Sequence, residues 1–77
     1  MIQNLNDTEK LGRTPKQKIL YDFIKKFQEE NGISPSYEEM QKITKTELSS
    51  VYVRINSLEK KGWITRTKGI PRSIKIL

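Results

Sequence analysis

"SYEEMQKITKTELSSVYVRINSLEKKG" (residues 36–62) holds two helical patterns with almost nothing between them. Ser36 and Glu39 have the spacing of a capping box, in which each side chain satisfies the other residue's backbone N–H. The helix they open is predicted to run to about Ile43, with Tyr37, Met40 and Thr44 on its apolar side. "TKT" then leaves room only for a tight turn, and Thr46 is the expected N-cap of a longer helix. In that helix Leu48, Val51, Ile55 and Leu58 recur at one-face spacing, with Tyr52 at the edge of the stripe. Gly62 ends it. A short helix joined to a second by a turn of about three or four residues has the form of a helix-turn-helix.

Upstream, "TPKQKILYDFIKKFQEENG" (residues 14–32) predicts one more helix. Thr14 is its N-cap, and Pro15 takes the first helical position, where a missing N–H costs nothing. Ile19, Leu20, Phe23, Ile24 and Phe27 fall on one face, and Gly32 can close the helix in a left-handed conformation. Pro35 pushes Ser34 towards an extended backbone, so Ile33–Ser34 is expected to form a short β segment. Downstream, Trp63–Thr67 and Ser73–Leu77 alternate polar and apolar residues around a loop containing Lys68, Gly69, Pro71 and Arg72. That is a β-hairpin pattern, and its outer face and tip carry Arg66, Lys68, Arg72 and Lys75. The expected fold is mainly α with a small β-hairpin: three helices plus a C-terminal two-stranded wing over residues 14–77, after a polar, flexible tail at 1–13.

Composition narrows the chemistry. The 77 residues make one small domain, and neither cysteine nor histidine is present. Disulfides, thiolate nucleophiles, the usual zinc sites and the commonest general base are therefore excluded. No spacing of the remaining Ser, Lys, Asp and Glu sets a nucleophile beside an oriented base, so no enzyme, metal or cofactor is expected. The start is polar and no run approaches the roughly 20 apolar residues of a membrane span, so the expected location is the cytoplasm.

Charge is divided unevenly. Residues 1–41 carry a net −1 and residues 42–77 a net +7, within a total of +6. This asymmetry suits a polyanionic partner met by one part of the molecule. Opposite the apolar stripe, the third helix presents Ser49, Ser50, Val53, Ser57 and Lys60, flanked by Arg54 and Asn56. Small uncharged side chains near its N-terminal end allow close approach to base edges, and Val53 can meet a thymine methyl. Arg54, Lys60 and Lys61 are candidate phosphate ligands, joined by Lys45, Arg66, Lys68 and Arg72. A solvated helix face and a merely soluble surface would share parts of this pattern. Taken together, the parts favour double-stranded DNA as partner.

At these residues the chain resembles the N-terminal DNA-binding domain of LexA-type repressors. The resemblance spans Thr14–Leu77 and rests on "TPKQ", on "NGISPSYEEM" with Gly32, Pro35 and Glu39, on "LEKKGWI", and on a wing with Gly69, Arg72, Ile74 and Leu77 at the family's spacing. It implies a winged helix-turn-helix on duplex DNA, with base contacts at Ser49, Ser50, Tyr52 and Val53 and phosphate contacts at Lys60, Lys61 and the wing. The family's glycine between the second and third helices has no counterpart in "ITKTEL", and Tyr52 and Val53 stand where the family carries polar or acidic residues. The self-cleaving C-terminal domain of such repressors is not expected here.

The function expected is non-enzymatic, sequence-preferring DNA binding by a small, repressor-like transcriptional regulator. A winged-helix protein–protein interaction module and a DNA-bending or recombination accessory factor are the alternatives. The exposed apolar residues (Ile2, Leu5, Val53 and Ile70) are scattered, so a monomer in solution is expected, with pairing only on adjacent half-sites.

Overall fold

The computed structural model describes residues 12–77; of the expected tail at 1–13, residues 1–11 lie outside the described residues. Helix α1 spans Pro15–Asn31, α2 Tyr37–Thr44 and α3 Leu48–Lys60; strands β1 (Ile64–Thr65) and β2 (Lys75–Ile76) follow. The strands pair antiparallel, Ile64 opposite Ile76 and Thr65 opposite Lys75. Three helices closed by a two-stranded wing form a winged helix-turn-helix.

The helix ends follow from local chemistry. Thr14 accepts a hydrogen bond from the Gln17 backbone N–H at 3.2 Å, while the Gln17 side chain accepts one from the Thr14 N–H at 3.1 Å. Gly32 closes α1 at φ 75° and donates to the Gln28 carbonyl at 2.8 Å. Ser36 and Glu39 make the expected reciprocal pair at α2 (3.1 and 2.7 Å). At the end of α3, Gly62 takes φ 87°. Its N–H reaches the Glu59 carbonyl, and the Trp63 N–H reaches that of Leu58, two nested bonds that terminate a helix.

The core gathers Leu20, Tyr21 and Ile24 of α1, Met40 of α2, Val51, Ile55 and Leu58 of α3, and Ile64 and Ile74 of the wing. Four expectations change. Ile19 is 61% exposed, and Tyr21 is buried in its place. Helix α1 rolls towards the wing root, where the Tyr21 ring meets Trp63 edge-on at 5.5 Å, a partner that helical periodicity could not supply. Ile33–Ser34 forms no strand, because the Ser34 carbonyl accepts from the Arg72 guanidinium at 3.1 Å rather than from a ladder. The N-cap of α3 is Glu47, not Thr46, whose hydroxyl lies 2.9 Å from that of Thr44 inside the turn. Arg13, assigned to the tail, stacks 3.8 Å from the Trp63 ring centroid and 4.7 Å from that of Tyr21.

The wing is tied down at its base. Ser73 Oγ accepts from the Thr67 N–H and donates to the Thr67 carbonyl, both at 3.0 Å, and Gln28 Nε2 donates to the Ile74 carbonyl at 2.6 Å. Strands of only two residues hold their register through these side-chain clasps.

Truncation tests the core directly. Ile55→Ala should destabilise the domain by about 2–5 kcal/mol, whereas Ile19→Ala should change stability by less than about 0.5 kcal/mol. Urea melts of both variants check this; equal effects would contradict the roll of α1.

Candidate nucleic-acid interface

Burial of Val51, Ile55 and Leu58 turns the other side of α3 to solvent. Ser49 is exposed there, Val53 is 63% exposed and Tyr52 45%, with Ser50 and Arg54 half-buried beside them. Lys16, from the first turn of α1, joins Ser49, Ser50, Val53 and Arg54 around a shallow depression. Sequence reasoning missed Lys16. Only the packing of α1 across α3 brings it to this face.

On the other flank a groove of about 570 Å³ runs between α3 and the wing. Leu48, Tyr37 and Tyr52 line one wall, and Lys68, Ile70 and Pro71 the other. The two tyrosine rings lie 4.6 Å apart, tilted by 40°. Thr67 to Arg72 are exposed along the wing tip, where Gly69 turns the chain at φ 79°.

The candidate cations divide into two groups. The side chains of Lys16, Lys45, Arg54, Lys60 and Lys68 engage no partner among the described residues. Lys61, Arg66 and Arg72, expected as phosphate ligands, instead bond to oxygens of the domain itself, Arg72 while still exposed. Lys61 Nζ donates to Gln17 Oε1 at 2.7 Å, linking the end of α3 to the start of α1. Arg72 Nη1 donates to Glu39 Oε1 at 2.9 Å as well as to the Ser34 carbonyl. The backbone N–H of Ser36, and then Arg72, hold the Glu39 carboxyl below its usual range.

Arg66 is the most enclosed, its side chain only 12% exposed. Its guanidinium donates to the Glu59 carboxylate at 3.1 Å, to the Tyr37 hydroxyl at 2.7 Å and to the side-chain oxygen Oδ1 of Asn56. Burial disfavours its charge, but the bonds to Tyr37 and Glu59 outweigh this and keep its pKa above the ordinary value. Each of these three cations has an oxygen of the domain within reach, and sequence alone could not reveal those oxygens.

The turn between α2 and α3 has its own solution. With no glycine present, Lys45 takes the left-handed conformation at φ 54° and donates its N–H to the Gln41 carbonyl at 2.9 Å. A residue with a Cβ is strained by roughly 1 kcal/mol there. The strain places the Lys45 side chain in solvent at the start of α3. Among the described residues, no helix is long and apolar enough to cross a membrane, and no cluster of three or more metal-ligating side chains occurs.

Lys45→Gly should therefore raise stability by about 0.5–1 kcal/mol while weakening any polyanion binding. Thermal melts and duplex titrations of the one variant test both halves; a less stable or more tightly binding variant would contradict the assignment.

Comparison with known proteins finds relatives for most of the chain. Residues 9–73 match the LexA DNA binding domain family. A LexA repressor from Thermosipho melanesiensis is 39% identical over 64 residues, which cover 83% of this chain and 32% of that protein. One from Thermosipho africanus is 38% identical with the same coverage. One from Pelotomaculum thermopropionicum is 38% identical over 71 residues, 91% of this chain and 34% of that protein. The chain thus spans about a third of the length of these curated relatives.

Proposed function

The chain belongs to the LexA DNA binding domain family, and from that premise we propose that it acts without catalysis as a small, repressor-like regulator binding double-stranded DNA. One observation carries the reading. The small, uncharged N-terminal half of α3 lies between cations that no described residue neutralises. Residues 14–77 serve as one DNA-binding unit, working in the cytoplasm on the nucleoid. Helix α3 enters the major groove, where Ser49, Ser50, Tyr52 and Val53 meet base edges and thymine methyls. Lys16, Lys45, Arg54, Lys60 and Lys68 meet phosphates and fix register, while Lys61, Arg66 and Arg72 hold the frame. A docking module would have no use for five cations around one helix that no described residue pairs.

Neutralising about five phosphates gives a log–log salt slope of about −4.5. Lys68→Ala should weaken all duplexes alike and reduce the slope by about one, and Val53→Glu should abolish preference for the best site. Anisotropy titrations across salt, on duplexes enriched from a random pool, measure both. A flat slope would overturn the reading, as would a wing variant that changes preference while α3 variants do not.

The protein is proposed to be a monomer when free. Ile19, Ile33, Ile43, Ile70 and Leu77 are exposed, but they lie on different elements and do not offer the more than about 1,000 Å² of a stable interface. Pairing then occurs only on adjacent half-sites, where the spacing of two sites sets the affinity. Light scattering coupled to size exclusion should return the mass of one chain at micromolar concentration. A dimer in the absence of DNA would refute this.

A further inference from the structure

Arg66 stands where three elements meet. It follows β1 in the root of the wing, and its planar cation is divided among Tyr37 at the first position of α2 and Asn56 and Glu59 on α3. Asn56 and Glu59 are three residues apart and so lie on one face of the helix. Tyr52 lies one turn before Asn56, and its ring rests 4.6 Å from that of Tyr37. The Tyr37 hydroxyl is held by Arg66 at 2.7 Å. A continuous chain of contacts therefore runs from the wing root through Arg66 and Tyr37 to an exposed aromatic side chain on the face of α3.

We propose that Arg66 is a positioning residue for sequence choice. It does not touch DNA; it sets the pose of Tyr52 through Tyr37, and it fixes the wing against α3 through Asn56 and Glu59. This inference rests on the DNA-binding reading above. Two physical points support it. All three guanidinium nitrogens of Arg66 are engaged and Glu59 offsets its charge, so it has little counterion to release. Arg72 supplies a second tie between the wing and α2, but its bonds go to Glu39 and Ser34 at the cap and not to Tyr37. A two-strand wing and an eight-residue helix share no backbone ladder, and a tilted ring pair alone leaves Tyr52 free to slide.

Five proteins test it: wild type, Arg66→Gln, Arg66→Lys, Tyr37→Phe and the double variant Arg66→Gln with Tyr37→Phe, each titrated with an enriched duplex and a scrambled one across salt. Arg66→Gln should cut the affinity ratio between the two duplexes on the order of tenfold, with an unchanged salt slope. Arg66→Lys should fail to restore the ratio, since an ammonium keeps the charge but cannot span three acceptors. Tyr37→Phe keeps the ring stack and loses only the hydroxyl, so it should lower the ratio in the same direction. Combined with Arg66→Gln it should add little, as residues acting along one path do. If Arg66→Gln fails to fold, Tyr37→Phe carries the test alone.

A slope reduced by about one, with both duplexes weakened equally, would show Arg66 to be a phosphate ligand and overturn the proposal. An unchanged ratio in Tyr37→Phe would overturn it too. Wild type is measured first: if it does not discriminate between the duplexes, the sequence-preferring reading itself fails, whereas discrimination that survives every variant removes only the role of Arg66.

Discussion

Val51, Ile55 and Leu58 lie wholly out of water along one side of α3, and their burial fixes the roll of that helix about its own axis. A rotation of one residue position would bring polar side chains into contact with Leu20, Ile24 and Met40, which are also fully buried. Because the inward face is fixed, so is the outward one. Ser49, Tyr52 and Val53 are in solvent because their neighbours cannot be. The rest of the domain holds that helix in place. Helix α1 packs across it, α2 and the Lys45 turn set its start, and Ile64 and Ile74 close the core from the wing.

The charges then have two different uses in one small domain. Lys61, Arg66 and Arg72 act as struts between elements that share little backbone hydrogen bonding. Arg72 in particular joins the wing to the cap of α2 through Glu39, at a position where its own backbone is left-handed, φ 54°. A wing anchored in this way loses less conformational freedom on meeting a partner than a loose loop would. Lys16, Lys45, Arg54, Lys60 and Lys68 remain available outside. In a domain of this size the same residue types must stiffen the frame and furnish its surface, and only geometry separates the two roles.

Much of the fold was legible because its signals are local. Thr14 with Pro15, Ser36 with Glu39, and Gly32 and Gly62 mark helix ends by chemistry that acts within four residues. The stripe of α3 was legible for the same reason at Val51, Ile55 and Leu58, while Leu48 lies half-buried on the groove instead of in the core. What escaped was long-range. Tyr21 replaced Ile19 in the core because Trp63 lies 42 positions later in sequence, beside α1 in space. The β segment at Ile33–Ser34 gave way to a side chain from residue 72, and Arg13 left the tail for two aromatic rings. The candidate site was legible as a helix face and a basic wing. Which cations belong to it was not, since that depends on acceptors such as Gln17 and Tyr37 brought up by tertiary packing.

The central claim is that the solvent face of α3 and the tip of the wing together form the surface that receives duplex DNA. Amide chemical-shift mapping of the labelled protein, titrated with a duplex enriched from a random pool, reads that surface residue by residue. The account predicts that perturbations concentrate at Lys45–Arg54 and Thr67–Arg72, with Lys16 included. The exposed side of α1 around Lys18, Asp22 and Lys25 should stay unchanged. Perturbations centred on that side of α1, with α3 silent, would contradict it.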